Sequence, residues 1–458
     1  MPRLSLAALC LASLPLVATA ADKPMNFVVV LADDIGAKEL ACYGNTQHQT
    51  PRLDRLAKEG MRFETCWVTP LCTPTRVLTM TGQYAFRTGY FQMFGAALSP
   101  RPNSPEYQIG DKFTFADMLK AKGYATGMCG KWQLSGEHPT LIRDCGFDEY
   151  RMWAYEHNLP AGVTHTGRYE GGNRTARYWH PSIVENGKYL TTQPNDYGPD
   201  LFNAFAIDFI TRHKAGPFCF YYTMPLTHGP HEETPDPAHP GQRRPAGYKS
   251  NVEYLDYLMG NLLDAIDKLG IAENTLFIFI GDNGTAGSGK GTVTELGVRV
   301  PLIVRCPGTV KAGVVSRELA SGADVFATLQ EFSGAALPAG HVIDGKSLGH
   351  TLRGEAGQHR EWLFSYLGPG RILRDERFIL EVPGQGQPQK LIDCGSSRNG
   401  EGYREVTQPT PESTAALARF AKLLADLPGP ENHPGLRLPA AGEEGKAKTK
   451  AKAKKKKA

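Results

Sequence analysis

The chain has 458 residues, of which 41% are hydrophobic and 21% are charged. This composition excludes a collagen-like or wholly disordered protein. A chain of this length can bury a large hydrophobic core and is expected to form two domains, or one large domain with an appendage. The formal net charge is +4, but eight lysines lie in residues 446–458, and subtracting them leaves −4. The basic pI therefore does not indicate a nucleic-acid-binding body, and we expect no nucleic-acid partner.

Residues 1–20 are predicted to be a cleavable secretory signal. Arg3 precedes an apolar run that ends in Ala18-Thr19-Ala20, a small-x-small cleavage pattern. A transmembrane anchor is the alternative, but Ser13 and Pro15 interrupt the run, which is short for a bilayer. No later segment is long and apolar enough to span a membrane. We therefore expect a periplasmic or secreted protein without a transmembrane anchor.

Strands and helices are predicted to alternate between residues 26 and 332. Residues 26–32 (NFVVVLA) form a β-branched run typical of a strand buried in a parallel sheet. Thr50 can cap a helix that begins at Pro51 and ends at Gly60. The later segments are predicted as helix 113–122, strand 124–129, helix 200–213, strand 217–223, helix 248–269, strands 275–280 and 300–305, and helix 323–332. This alternation predicts an α/β fold with a large mixed, mainly parallel sheet sandwiched by helices.

Beyond about residue 355 the pattern changes to short strands followed by one helix. The predicted strands are 362–367, 371–373, 378–382 and 390–393, and the predicted helix is 411–427. They indicate a smaller C-terminal antiparallel sheet with one packed helix. The predicted domains are the signal at 1–20, a catalytic domain at 21–355, a small α+β subdomain at 356–430, and a disordered Lys-rich tail at 431–458.

Four oxygen-bearing side chains follow two of the predicted strands. Asp33 and Asp34 follow the strand at 26–32, and Asp282 and Asn283 follow the strand at 275–280. Ligands of parallel sheets bind outside the carboxyl ends of the strands. Oxygen ligands suit Ca²⁺, whereas transition metals favour His or Cys. The two motifs together favour a cation site, although each alone is equally compatible with a turn cap.

A cysteine stands at the start of a predicted helix in Cys72-Thr73-Pro74-Thr75-Arg76, which is followed by Leu78-Thr79-Met80-Thr81-Gly82. The helix dipole can activate such a thiol, and a small buried cysteine is the alternative. This string resembles the Cys-x-Pro-x-Arg signature of the type I sulfatase family of the alkaline phosphatase superfamily. Further blocks in the family order are 26–44, 50–63, 130–132, 281–284 and 290–308, so that the resemblance covers roughly residues 24 to 355.

The resemblance implies a nucleophile made from Cys72. In this family a maturation enzyme converts the motif cysteine to Cα-formylglycine (3-oxoalanine). One hydroxyl of the hydrated aldehyde attacks sulfur and releases the alcohol, and deprotonation of the second expels sulfate. The resemblance also implies that Asp33, Asp34, Asp282 and Asn283 hold Ca²⁺, together with an oxygen of the modified residue 72.

Further roles follow from the resemblance position by position. Arg76 matches the residue that holds the formylglycine, and Lys131 and Lys290 match the two lysines that clamp the sulfate oxygens. His228 matches the histidine near the leaving-group oxygen and is the candidate general acid. His231 either lines the substrate pocket or lies on its loop without contacting substrate.

Three positions depart from the family pattern. Gln133 stands where members commonly have a histidine, and its amide can hydrogen-bond the formylglycine hydroxyl but cannot take its proton. Thr75 replaces the usual serine, and Gln83 stands where a basic residue is common. The Cys-x-Pro-x-Arg core is intact, so we expect maturation to occur.

The sequence thus predicts an exported, calcium-dependent sulfatase that cleaves sulfate esters, with a carbohydrate ester as the expected substrate. The carbohydrate expectation depends on polar and aromatic residues that could stack on and hydrogen-bond a sugar, namely Arg168, Tyr169, Arg174, Arg177, Tyr178 and Trp179. Two alternatives remain open. One is a phosphodiester or phosphonate hydrolase on the same scaffold, and the other is an impaired relative that binds sulfated glycans without turnover, for which Gln133 is the best support.

Overall fold

The structure is a computed structural model that describes residues 23–93, 109–134, 141–154, 176–384 and 386–430. The predicted signal, the predicted Lys-rich tail, and Arg168, Tyr169 and Arg174 lie outside these ranges. Among the described residues, no helix is long and apolar enough to cross a membrane.

The described helices pack on both faces of a large sheet, and one helix packs on a smaller sheet. They are α1 (Pro51–Glu59), α2 (Cys72–Thr81), α3 (Ala85–Thr88), α4 (Phe115–Ala121), α5 (Leu141–Asp144), α6 (Gly198–His213), α7 (Tyr248–Lys268), α8 (Glu295–Val298), α9 (Asp324–Ser333), α10 (Gly349–Leu352) and α11 (Pro411–Asp426).

The described strands form a large sheet, a small sheet and a two-stranded ribbon. They are β1 (Asn26–Ala32), β2 (Met61–Trp67), β3 (Ala125–Lys131), β4 (Glu149–Trp153), β5 (Ile183–Glu185), β6 (Lys188–Leu190), β7 (Phe218–Thr223), β8 (Thr234–Pro235), β9 (Arg243–Arg244), β10 (Thr275–Gly281), β11 (Arg299–Arg305), β12 (Val314–Ser321), β13 (Leu363–Leu367), β14 (Gly370–Arg374), β15 (Phe378–Val382), β16 (Lys390–Asp393) and β17 (Arg404–Glu405).

The large sheet has ten strands in the order β12-β2-β11-β10-β1-β7-β3-β4-β5-β6. At its centre, β1 pairs in parallel with β10 on one side and with β7 on the other. β3 continues the parallel run beside β7, whereas β11 is antiparallel to β10. The mixed, mainly parallel sheet predicted from the sequence is confirmed.

The central strands are buried on both faces because their side chains alternate between two helical layers. Along β1, Val29 and Leu31 pack in one hydrophobic layer, and Val28 and Val30 pack in the opposite layer. This arrangement explains the unbroken apolar run in the sequence. It also leaves polar residues only at the strand ends, where the site is built.

The small sheet contains β13 to β17 in chain order, paired antiparallel, and α11 packs on it through Ala416 and Phe420. It contacts the large sheet through an apolar cluster in which Trp67 and Leu319 meet Ile372. The predicted smaller antiparallel sheet with one helix is confirmed.

The sequence did not predict several strands. β2 and β12 form one edge of the large sheet and pair with each other in parallel, although polar residues such as Glu64 and Glu318 interrupt their hydrophobic pattern. The predicted helix at 113–122 begins at Phe115, because Thr114 forms a capping box with Asp117. The described parts of the region 135–200, where the sequence predicts long loops, contain β4 and the hairpin of β5 and β6.

Candidate active site

The two acidic motifs meet because β1 and β10 are adjacent and in register, with Ala32 opposite Gly281. The backbone N–H of Asp34 donates to Asp282 Oδ1 at 3.0 Å. Asn283 Nδ2 donates to Asp34 Oδ1 at 2.8 Å. The prediction that these side chains lie together at the carboxyl edge of the sheet therefore agrees with the geometry.

Two oxygen atoms of this cluster have no protein partner among the described residues. Asp33 Oδ1 and Asn283 Oδ1 are both buried and accept no hydrogen bond there. A buried oxygen without a donor costs free energy, so its native partner is expected to be a group outside the chain. Carboxylate and amide oxygens are hard ligands, and the donor set therefore suits a cation such as Ca²⁺.

Cys72 is the first residue of α2 and is 1% exposed. Its Sγ lies in a group with carboxylate oxygens of Asp33 and Asp282, all within 4.8 Å of one another. Thr75 fixes the turn before the helix, since its Oγ1 accepts from Thr69 N at 3.0 Å. The hydroxyl that a serine would supply at position 75 is thus present in this chain.

Arg76, one turn after Cys72, is fully buried and joins three parts of the site. Its Nη2 donates to Asp282 Oδ2 at 2.8 Å, and its Nη1 donates to the carbonyl oxygen of Lys131 at 2.7 Å. Burial opposes its charge, but Asp282 and Asp33 raise the pKa of the guanidinium above its ordinary value. Arg76 therefore remains charged and holds α2 against the acidic edge.

Lys131 and Lys290 each form an ion pair with a carboxylate of the acidic cluster. Lys131 ends β3, and its Nζ donates to Asp33 Oδ2 at 2.6 Å. Lys290 lies on the loop after β10, with its Nζ 2.5 Å from Asp34 Oδ1. Gly130 allows Lys131 this position, because its φ is +102° and a Cβ there would lie 1.9 Å from Thr223 O.

Burial and neighbouring charges drive the pKa values of Asp33 and Asp282 apart. Burial alone would raise the pKa of Asp33, but the positive charges of Lys131, Arg76 and Lys290 outweigh it and hold that pKa well below its usual value. Burial, followed by the negative charge of Asp33, raises the pKa of Asp282. A cation between the two carboxylates would offset their repulsion, which is a second reason why the residues suit a metal.

His228 lies on the loop after β7, with its Nε2 3.8 Å from Asp34 Oδ2. Its Nδ1 is 2.7 Å from Gly229 O, a contact that places the ring proton on Nδ1 and turns Nε2 toward the site. Burial, Arg177 and Lys131 lower the pKa of His228 to about 2. These surroundings favour the neutral imidazole, and the assignment of His228 as general acid stays a prediction.

His231 stands apart from the acidic cluster. Its Nε2 is 3.1 Å from the carbonyl oxygen of Thr227, and its ring contacts Tyr248 edge-on at 5.2 Å between centroids. These contacts support its alternative position on the loop over direct substrate contact.

Gln133 follows Lys131 by two residues and has a φ of +60°. Its Nε2 is 3.6 Å from Met93 Sδ, and its buried Oε1 has no hydrogen-bond partner among the described residues. Asp34 is a second residue of the site with positive φ, at +58°. Such backbone conformations are costly for residues other than glycine and concentrate at functional sites.

Sequence reasoning assigned Arg177 and Tyr178 to sugar contact, and the structure corrects this assignment. Arg177 is 2% exposed and Tyr178 is 0% exposed. Both donate hydrogen bonds to the loop that carries His228, through Gly229 O and His228 O respectively. Their spacing in the sequence gives no signal of this role, because the contact spans about 50 residues.

Comparison with known proteins agrees with this geometry. The family model described as Sulfatase matches residues 25–335. Human (Homo sapiens) arylsulfatase A is 35% identical over 373 residues, which cover 75% of this chain and 71% of that protein. N-acetylgalactosamine-6-sulfatase of the dog (Canis lupus familiaris) is 32% identical over 373 residues, which cover 74% of this chain and 68% of that protein.

Solved structures share the fold. One described as a complex with its substrate D-glucosamine-2-N,6-O-disulfate superposes with a TM-score of 0.69 at 21% identity, covering 90% of this chain and 99% of that one. The extent of the family match and the identity to curated relatives both exceed what a shared fold alone would give. The chain therefore belongs to the sulfatase family and is a sulfuric ester hydrolase.

Proposed function

We propose that this protein is a calcium-dependent sulfatase that hydrolyses a sulfate ester of a carbohydrate, with a formylglycine made from Cys72 as the nucleophile. The observation that carries the proposal is the burial of Cys72 beside Asp33 and Asp282, where buried oxygens lack protein donors among the described residues. The intact Cys-x-Pro-x-Arg core supports recognition by a formylglycine-generating maturation enzyme.

Asp33, Asp34, Asp282 and Asn283 would hold the calcium ion. When bound, the ion supplies positive charge that favours ionisation of a hydroxyl nucleophile. The side chains of this protein position the nucleophile, bind the sulfate group and donate the proton. Arg76 fixes the helix that carries residue 72, since it bonds Asp282 and the backbone of Lys131 at once.

Lys131 and Lys290 are the proposed sulfate-binding residues. Lys131 pairs with Asp33 and Lys290 pairs with Asp34, so both ammonium groups lie at the cluster that contains Cys72 and could contact a sulfate group bound there. Two fixed cations stabilise the negative charge that spreads over the sulfuryl oxygens during transfer.

His228 is the proposed proton donor to the leaving oxygen. Burial and the surrounding cations keep its imidazole neutral in the arrangement described above. An anionic sulfate ester brought between Lys131 and Lys290 offsets those cations, so that the substrate itself favours protonation of Nε2. Gln133 is proposed to hydrogen-bond the nucleophile, because its Oε1 is buried near the end of β3 without a described partner.

The carbohydrate substrate is supported by similarity to N-acetylgalactosamine-6-sulfatase and by the polar composition of residues 155–175. Export is supported by the signal pattern of residues 1–20. N-terminal sequencing of protein recovered from outside the cytoplasm tests the predicted cleavage after Ala20.

The test of the whole proposal uses protein co-expressed with a formylglycine-generating enzyme. Peptide mass spectrometry is expected to show an aldehyde in place of the thiol at residue 72, and the protein is expected to release sulfate from 4-nitrophenyl sulfate and from at least one sulfated monosaccharide. Matched phosphate and phosphonate esters serve as controls. An aldehyde-bearing protein that cleaves the phosphonate but no sulfate ester would overturn the proposal.

A further inference from the structure

Three consecutive side chains, residues 177–179, donate hydrogen bonds to the loop that carries His228. Tyr178 Oη donates to His228 O and also lies 3.2 Å from Pro225 O. Arg177 Nη1 donates to Gly229 O at 3.4 Å. Trp179 Nε1 donates to Glu233 O at 2.9 Å. One short segment therefore contacts the loop before, at and after the histidine.

The carbonyl oxygen of Gly229 has two hydrogen-bond partners, the imidazole of His228 and the guanidinium of Arg177, and therefore links Arg177 to the orientation of the imidazole. It lies 2.7 Å from His228 Nδ1 and also accepts from Arg177. Tyr178 holds the carbonyl of His228 itself. The peptide groups on both sides of Gly229 are thus held by residues 177 and 178, and the direction of Nε2 depends on where these carbonyls point.

The segment is itself anchored to rigid elements. The guanidinium of Arg177 lies 4.0 Å from the centre of the Trp153 ring at the end of β4, opposite Lys131 in the register. Gly198 N, at the start of α6, donates to Tyr178 O at 2.7 Å. A Cβ at position 198 would lie 2.3 Å from Arg177 O, so only glycine permits this close approach. The donors are therefore fixed relative to the sheet that carries the site.

We propose that Tyr178 and Arg177 are positioning residues that hold His228 Nε2 at the leaving oxygen, a role that rests on the proposed function of His228. Both residues are buried, and their hydrogen bonds run to the carbonyl oxygens of Gly229 and His228. Their effect should therefore depend on how much help the leaving group needs. A poor leaving group requires a well-placed proton donor, whereas an acidic phenol departs without one.

The experiment compares turnover of two esters, 4-nitrophenyl sulfate and phenyl sulfate, by the mature enzyme and its variants. Tyr178→Phe removes one hydroxyl, and Arg177→Lys keeps the charge but loses the planar fork of donors. Each is expected to lower kcat for phenyl sulfate about tenfold, with a loss under about twofold for 4-nitrophenyl sulfate and an unchanged KM. His228→Asn is expected to show the same selectivity with a larger loss.

Tyr222→Phe is the matched control, because Tyr222 is equally buried and its hydroxyl donates to a single carbonyl oxygen, that of Pro199, at 3.3 Å. It should leave the ratio of the two rates unchanged. Equal losses on both esters, or no loss, in Tyr178→Phe and Arg177→Lys would overturn the positioning role while the sulfatase proposal stands. Failure of the mature parent enzyme to cleave either aryl ester or any sulfated monosaccharide would instead overturn the proposed function. Should Tyr178→Phe not fold, Arg177→Lys decides alone.

Discussion

Two clusters of buried charge in this molecule differ in how completely their oxygens are satisfied. The first surrounds Asp33 and Asp282 at the carboxyl edge of the large sheet, where Asp33 Oδ1 accepts no hydrogen bond from the described residues. The second surrounds Asp324 at the start of α9, where both carboxylate oxygens are used. The four donors to Asp324 are Ser321 N at 2.8 Å, Lys346 N at 2.9 Å, His359 Nε2 at 3.0 Å and Arg360 Nη2.

We call the cluster around Asp33 and Asp282 the open cluster, because it contains oxygens that can accept a ligand. We call the cluster around Asp324 the closed cluster, because its oxygens already accept hydrogen bonds that join parts of the fold. Burial would raise the pKa of Asp324, but Arg360 and His359 outweigh it and lower that pKa. Its two side-chain donors, His359 and Arg360, lie just before the first strand of the small sheet, so these charges connect α9 to the segment that leads into that sheet. The cluster around Asp33 contains the same residue types, yet it leaves acceptors open beside Cys72. The two clusters are distinguished by whether their side-chain oxygens accept hydrogen bonds among the described residues, since each cluster also contains a buried arginine Nε without a partner there.

The largest expected effect is the loss of the nucleophile in the open cluster. Cys72→Ala should lower turnover of 4-nitrophenyl sulfate on the order of 10⁵-fold, because removal of the group that forms the covalent intermediate abolishes most of the catalysis. The melting temperature should change little, since Cys72 makes no ion pair among the described residues. Residual activity within a hundredfold of the parent would contradict its assignment as nucleophile.

Asp324→Asn should have the opposite effect, a large loss of stability with little change in turnover. It leaves Arg360 buried without its carboxylate and is expected to cost about 3–5 kcal/mol of folding free energy. Denaturant unfolding measures this loss, and kcat of the folded fraction should stay within about threefold of the parent. A stable variant with strongly reduced kcat would show that the Asp324 cluster belongs to the active site after all.

Calcium binding should distinguish the clusters without reference to activity. Calcium at about 100 times its Kd should stabilise the protein by about 2.7 kcal/mol, because the ion binds only the folded state. Asp33→Asn should abolish most of this stabilisation. A milder change in the closed cluster, His359→Gln, should retain it. Thermal unfolding with and without calcium makes the comparison, and equal responses of Asp33→Asn and the parent would place the ion elsewhere.

The sequence anticipated the open cluster better than the closed one. Asp33, Asp34, Asp282 and Asn283 each follow an apolar strand directly, so parallel pairing of the strands was enough to bring them together. Asp324 lies in the helix predicted at 323–332, whereas His359 follows 35 residues later in a segment with no predicted element, and only tertiary packing joins them. The contacts of Tyr178 with the loop that carries His228 could not be predicted for the same reason, because they also join residues far apart in the sequence. The local sequence pattern predicts which residues lie at the end of a strand. It does not predict which loop, distant in the sequence, contacts those residues.

A third buried carboxylate, Asp256, differs from Asp33 and Asp324 because it accepts hydrogen bonds from backbone N–H groups and has no ion pair with a buried cation among the described residues. It accepts from Arg52 N at 3.1 Å and Leu53 N at 2.8 Å at the start of α1. Burial raises the pKa of Asp256 to about 7. The folded state therefore binds this proton more tightly than the unfolded state, and the associated stability is lost as the pH rises from about 4 through 7.

Asp256→Asn should remove that dependence while keeping an oxygen acceptor for both backbone donors. The variant should match the parent at pH 4 and exceed its stability on the order of 2 kcal/mol at pH 8. Urea unfolding across this range is the measurement. A difference between the two proteins that is constant with pH would mean that Asp256 is ionised throughout.

The smallest expected effect concerns Gln133, the residue of the open cluster that departs from the family pattern. Its positive φ tolerates histidine, and its buried Oε1 already offers an acceptor to a nucleophile at residue 72. If the amide only orients that nucleophile, Gln133→His should keep kcat for 4-nitrophenyl sulfate within about threefold of the parent, and Gln133→Leu, which lacks both polar atoms, should lower it about tenfold. A gain well above tenfold in Gln133→His would show that the natural enzyme lacks a base. A Leu variant as active as the parent would show that the open oxygen of Gln133 has no part in turnover, and would confine the functional acceptors of the cluster to Asp33 and Asn283.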